Sequence, residues 1–166
     1  MATKFHKISK KQWMLDAPQE VDNDLWGNLY EEIQLPERKT RWSSGYDFHA
    51  PYTITLEPGE EELIPTGIKI ELNPDQELLI FPRSSLGFKY YIRLANSIGK
   101  IDADYFNNVS NEGHIFVKIR NEGRKSVVIN KGDSFCQGTI YQFNICDNDS
   151  FDDGNIREGG IGSTNK

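Results

Sequence analysis

GIKIEL, residues 67–72, sets Ile68, Ile70 and Leu72 in alternation with Lys69 and Glu71. Successive side chains of a strand point to opposite faces, so a period of two makes one face apolar and the other charged. The rhythm returns in HIFVKIR, residues 114–120, where Ile115, Val117 and Ile119 alternate with Phe116, Lys118 and Arg120. TIYQFNI, residues 139–145, repeats it through Tyr141, Phe143 and Ile145, which are expected to face the core. ELLIF, residues 77–81, is a continuous apolar run, the pattern of a strand covered on both faces. Between these runs stand EPGE, PTG, NPD, NEG (twice) and NKGD, clusters of turn-forming residues that leave room only for short strands. Many short strands punctuated this way predict an all-β protein, a sandwich or a jelly roll.

With 166 residues and 37% hydrophobic content, the chain is sized for one compact domain. Its net charge of -6 argues against a broad basic face for nucleic acid, and no polybasic run suits a membrane surface. Any anionic ligand must therefore be met by local donors. No stretch approaches the roughly 20 apolar residues of a membrane span, and MATKFHKISKK at the N-terminus lacks the apolar core of a signal peptide. The expected compartment is the cytosol, that of the host for a viral chain. Cys136 and Cys146 form neither a metal spacing nor a disulfide framework and are expected to be two reduced, structural thiols. His6, His49 and His114 stand in no recognisable nucleophile setting, which argues against a catalytic triad, and clusters of His and Cys for a metal are absent. Carboxylates, backbone amides and a few arginines remain, and these suit a hard cation and a phosphate.

Residues 1–40 read differently from the rest. WMLDAPQEVDNDLWGNLYEEI is acidic, with Trp13, Leu25, Trp26, Leu29 and Ile33 scattered among charges, and signals at most a short helix and a loop in an N-terminal extension. Residues 41–146 hold the strand pattern and make up the β domain. Residues 147–166 are rich in Gly and Asp, cannot pack a core, and read as a mobile C-terminal arm.

Four stretches offer polar chemistry. In FPRSSLG, residues 81–87, Pro82 ends a strand and exposes the amides and hydroxyls around Arg83, Ser84 and Ser85, either as an ordinary Ser-rich turn or as a cradle for phosphate oxygens. In NKGDSFCQG, residues 130–138, Gly132 and Asp133 make a turn, and Gln137 either satisfies buried backbone or joins a polar site. IGKIDADYFNN, residues 98–108, carries two carboxylates, Asp102 and Asp104, with Tyr105 directly after. REGGIGSTNK, residues 157–166, puts Arg157 beside flexible glycines, as a plain tail or as a segment able to fold over a polyphosphate.

Taken in order, SSGYDFHAP (43–51), PRSSLG (82–87), NSIGKIDADY (96–105), GDSFCQG (132–138) and REGGIGST (157–164) resemble the five motifs of the trimeric dUTPase family. The resemblance implies a jelly-roll β-fold with a flexible Gly-rich arm and a homotrimer with three sites shared between subunits. It also implies Mg2+-dependent hydrolysis of dUTP to dUMP and pyrophosphate, limiting uracil incorporation into DNA and supplying dUMP for thymidylate synthesis. By this likeness Asp102 would activate the water that attacks the α-phosphorus, and Asp104 would be a solvated turn residue. Tyr105 would lie under the deoxyribose, where a ribose 2'-hydroxyl has no space. Asn96 would read the uracil edge beside the backbone of an Ile98–Lys100 hairpin, with Gly99 permitting close approach. Arg83, Ser84, Ser85 and Gln137 would hold the phosphate chain, Asp47 would hold Mg2+ through water, and Arg157 would close over the γ-phosphate. The family's last motif is often Arg-Gly-x-Gly-Gly-Phe. Here Arg157 stands one residue nearer the glycine pair, and Ile161 takes the place of the aromatic over uracil. FNNVSNEGH after Tyr105 reads as an insertion.

Two other functions fit parts of the pattern. A dCTP deaminase on the same fold would release ammonia instead of pyrophosphate, and the Asp102–Tyr105 pattern and the last motif favour the diphosphatase. A binding module would use residues 1–40 or the arm to engage a regulatory protein, in place of catalysis or beside it.

Overall fold

A computed structural model describes residues 2–18 and 21–149. In chain order the elements are β1 (Lys4–Lys7), α1 (Lys10–Leu15), α2 (Asn23–Glu31), β2 (Tyr46–His49), β3 (Ile54–Leu56), β4 (Glu61–Pro65), β5 (Ile68–Glu71) and β6 (Gln76–Pro82). They continue with α3 (Ser84–Tyr90), β7 (Ile92–Leu94), β8 (Gly99–Asp102), a 3-10 turn (Ala103–Tyr105), β9 (Phe116–Asn121), β10 (Val127–Ile129) and β11 (Ser134–Gln142). The expected all-β, jelly-roll-like fold is what the chain adopts. One antiparallel sheet runs β2-β11-β6-β8, a second runs β4-β9-β7, and two ribbons pair β1 with β5 and β10 with β3.

Period two does what it should in β5 and β9. Ile68, Ile70, Val117 and Ile119 are buried, while Lys118 and Arg120 are exposed. In β6 only Leu78 and Ile80 are fully buried, so the continuous apolar run is covered on one face and only partly on the other. TIYQFNI is a correction. Tyr141, Phe143 and Ile145 are exposed, and the even-numbered side of β11, with Cys136, Gly138 and Ile140, faces the core. A register shift between Ser134 and Cys136 lets Phe135 be buried as well, and it decides which alternate set points inward.

The first 33 residues share this core instead of standing apart from it. Ile8, Trp13, Trp26 and Ile33 belong to the same buried cluster as Phe48, Leu78 and Phe135. Ser9 caps α1 by accepting from the Gln12 amide, and Asp22 caps α2 by accepting from the Leu25 amide. The two tryptophans stack with ring centroids 4.3 Å apart, and each indole N–H donates to the other's backbone carbonyl at 2.8 Å. That exchange satisfies both polar tips of a buried aromatic pair and clamps α1 to α2. Leu25, by contrast, is exposed.

Candidate functional site

One polar corner forms where β6 ends. Pro82 closes the strand, and Arg83 takes the N-cap position of α3 without a side-chain capping bond. The expected turn at Ser84 and Ser85 is thus the first turn of a helix, whose leading amides have no acceptor within the helix. Beside it, β11 pairs Cys136 with Pro82 and Gln137 with Phe81, and β2 pairs Asp47 with Gln137. The Gln137 amide donates to Asp47 Oδ1 at 2.7 Å, and Asp47 is 2% exposed. Arg83 lies against the same strand: its amide donates to the Phe135 carbonyl at 3.2 Å and its guanidinium to the Ser134 carbonyl at 3.4 Å. The structure therefore gathers Arg83, Ser84, Ser85, Asp47 and Gln137 at one end of the central sheet.

Asn96, Gly99, Asp102 and Tyr105 follow one another along the segment from the end of β7 through β8 to the 3-10 turn, with Gly99 level with Ile80 and Asp102 level with Glu77. Residues 95–98 cross from β7, in the second sheet, to β8, in the first, so the expected Ile98–Lys100 hairpin is a sheet-crossing turn. The turn is tight: Ser97 has a φ of 65°, and the Ile98 amide donates to the Asn96 carbonyl at 2.7 Å. Gly99 sits opposite Ile80, where a Cβ would come 3.1 Å from the Ile80 Cβ, so its lack of a side chain serves strand packing at the least. Asp102 pairs with Glu77 across β6, and Lys100 Nζ lies 3.5 Å from Asp102 Oδ1 and 3.0 Å from Glu77 Oε2. The Glu77 hydrogen bond raises the Lys100 pKa against the opposing effect of burial, with Asp102 adding to the rise. Asp104 is exposed in the 3-10 turn, whereas Tyr105 is 8% exposed.

Asp102 and Arg83 do not meet within one chain. Asp102 is level with Glu77 and Arg83 follows Pro82, so the full length of β6 separates them, about 20 Å at roughly 3.3 Å per residue. Arg157 and Ile161 lie outside the described residues.

FNNVSNEGH folds into a hydrogen-bonded loop that sequence reading leaves without a role. Its Asn108, Asn111 and His114 bond to Tyr105 or to each other, and the run of turn-forming Asn and Gly is the only sequence signal for it. Cys136 is buried, and burial, then the nearby Asp47 carboxylate, pushes its thiol pKa well up. Cys146 is exposed and, like Cys136, unbonded, so of the two thiols expected to be reduced and structural only Cys136 is buried. Burial and then Lys39 lower the His49 pKa. Among the described residues no three His, Cys, Asp or Glu side chains are grouped to hold a metal, and no helix is long and apolar enough to cross a membrane.

Comparison with known proteins agrees with the fold. The sequence model of the dUTPase family matches residues 31–165. Deoxyuridine 5'-triphosphate nucleotidohydrolase of Lactococcus lactis is 43% identical over 132 residues, covering 80% of this chain and 88% of its own. The crystal structure of dUTPase from Streptococcus mutans superposes with a TM-score of 0.67 at 33% identity, covering 86% of this chain and 98% of the other. A mutant dUTPase from phage phi11 of S. aureus, whose structure details the coordination of a structural Mg(II) ion, shares the fold with a TM-score of 0.64 at 18% identity, over 92% of this chain and 97% of its own. With 43% identity across most of both chains and a family match over residues 31–165, the protein belongs to the dUTPase family and is a dUTP diphosphatase.

Proposed function

We propose that the dUTP site is assembled between chains of a homotrimer, with Asp102 of one chain facing the Arg83–Ser85 corner of another. The observation behind this reading is the separation along β6. In-line attack brings reacting atoms to about 3–3.5 Å, and two corners about 20 Å apart on one strand cannot serve the same α-phosphate. Tyr141, Phe143 and Ile145, exposed by 45%, 39% and 65%, supply apolar surface for a neighbouring chain to cover.

In this site Asp102 takes the proton of a water that attacks the α-phosphorus and also contacts the sugar 3'-hydroxyl. The bond from the α-phosphorus to the bridging oxygen breaks, pyrophosphate leaves with its electron pair, and dUMP remains. Arg83, the hydroxyls and amides of Ser84 and Ser85, and Gln137 hold the phosphate oxygens. Asn96 and the backbone beside Gly99 read the uracil edge, and Tyr105 packs against the deoxyribose. Arg157 closes over the γ-phosphate and Ile161 covers the base. Mg2+ suits this donor set, because Asp47, already held by Gln137, would keep the ion through water and leave its inner positions to phosphate oxygens. When bound it supplies charge neutralisation at the departing pyrophosphate. Such an enzyme works in the cytosol, where it limits uracil entering DNA and provides dUMP for thymidylate synthesis.

The test is rescue between two inactive variants, Asp102→Asn and Arg83→Ala, co-refolded in equal amounts. A working site needs its Asp102 from an Arg83→Ala chain and its Arg83 from an Asp102→Asn chain. Random mixing in a cyclic trimer therefore restores roughly a quarter of sites. Mixed trimers, verified by mass, that show no turnover beyond their parents would place both residues of a site in one chain.

A further inference from the structure

We propose that Asn111 is a positioning residue for Tyr105 and thereby helps set the preference for deoxyribose over ribose. The inference rests on the reading of Tyr105 as the sugar platform, and it extends that reading to the loop that follows.

Tyr105 is gripped at both ends by this loop. At its backbone, the Asn108 side-chain amide donates to the Tyr105 carbonyl at 2.9 Å. At its tip, the hydroxyl donates to the His114 carbonyl at 3.0 Å and accepts from Asn111 Nδ2 at 2.8 Å. The Asn111 amide cannot turn over without loss, because its Oδ1 accepts from Asn108 Nδ2 at 2.8 Å and from the Gly113 amide at 3.1 Å. Asn108 Oδ1 in turn accepts from the Ser110 amide and hydroxyl and from the Asn111 amide. Gly113 closes the loop onto the aromatic: with a φ of 81°, it stands where a Cβ would lie 2.5 Å from the Tyr105 carbonyl oxygen.

The loop is itself anchored to the body of the protein. His114 is fully buried, with Nδ1 2.6 Å from Asp16 Oδ2 and Nε2 accepting from the Gly67 amide at 2.9 Å. Glu112 receives the Ser9 amide and hydroxyl, at 3.0 and 2.5 Å, and Lys69 at 3.1 Å. Phe106 packs 5.4 Å from the His6 ring and takes the Lys69 ammonium over its face. A platform that excludes one hydroxyl group must hold its place to well under the size of an oxygen atom, and a loop tied to β1, α1 and β5 can do so.

The experiment compares kcat/KM for dUTP and UTP in the full-length enzyme and in Asn111→Asp, Tyr105→Phe, their double variant and Tyr105→Ala. Asn111→Asp keeps the size and the accepting oxygen but loses the donor to the hydroxyl. The expected result is a fall of about three- to tenfold in the dUTP to UTP ratio for each single conservative change. The double variant should fall no further than Tyr105→Phe, because the Asn111 bond is one of the two that the loss of the hydroxyl already removes. Thermal unfolding of each variant is followed in parallel, since a purely structural loss lowers stability without moving the ratio. An unchanged ratio in Asn111→Asp, or a further fall in the double variant, overturns the positioning role. Tyr105→Ala separates the two layers of the reading: if it too leaves the ratio unchanged, the platform assignment itself is wrong. If Tyr105→Ala lowers the ratio while Asn111→Asp does not, only the Asn111 role is lost.

Discussion

Glu112 shows how much one side chain can hold. Burial alone would raise its pKa, but hydrogen bonds from the Ser9 hydroxyl and amide and from Lys69 outweigh that and lower it below its ordinary 4.5. A carboxylate with a depressed folded pKa adds stability that is present above the unfolded value and lost as pH falls through the folded one. Its window is therefore acidic, below 4.5. The side chain is 31% exposed, so solvent screening leaves roughly 1 kcal/mol of this effect. Urea midpoints measured at neutral pH and below 4.5 should drop less steeply with acid in Glu112→Gln than in the unaltered protein. Equal slopes would mean that the Ser9 and Lys69 contacts carry no linkage.

At the scale of elements, α1 and α2 are part of the β domain's own core. Trp13 and Trp26 are at most 1% exposed and Ile8 completes the same cluster, so removing them opens a large apolar void beneath the sheets. Replacing one buried tryptophan by alanine typically costs about 3–5 kcal/mol, a large share of the roughly 5–15 kcal/mol that holds a domain folded. A chain that starts at Leu35 should consequently fail to fold, read as loss of cooperative unfolding and of the far-ultraviolet strand signal. A soluble, cooperatively unfolding product would show that the helices are an appendage. The caps of both helices are residue types that favour the position, since Ser9 accepts from the Gln12 amide and Asp22 from the Leu25 amide. What the sequence hides is burial: an acidic, weakly periodic segment gives no sign that its scattered Trp and Ile side chains reach one core.

On the scale of the whole molecule, the proposed shared site would assign the C-terminal arm a separable task. Residues 155–166, Gly-rich and almost without apolar side chains, supply Arg157 and Ile161 to a bound triphosphate in the proposal. Their deletion should leave the urea midpoint unchanged within error and cut kcat/KM for dUTP by at least tenfold, the effect of losing one charge-assisted contact worth about 1.5–3 kcal/mol. Full activity in the truncated enzyme would remove the arm from the site. The charge balance fits this division, because a chain of net charge -6 meets a polyanion with a few aimed groups and no broad basic surface.

The sequence by itself determined the strands and the family. Alternation in GIKIEL and HIFVKIR is a local property that needs no partner to be read, and the order of five short motifs survives any change in loop length. Tertiary structure decided which face of β11 is inside, because period two is blind to the register shift between Ser134 and Cys136 that selects Ile140 over Tyr141. It also decided that Asp102 and Arg83 stand at opposite ends of β6, since only 19 positions separate them in sequence while their distance depends on strand pairing. The grip of Asn111 on Tyr105 belongs to the same class: it is a matter of hydrogen-bond geometry, which residue identity permits and only the folded chain supplies.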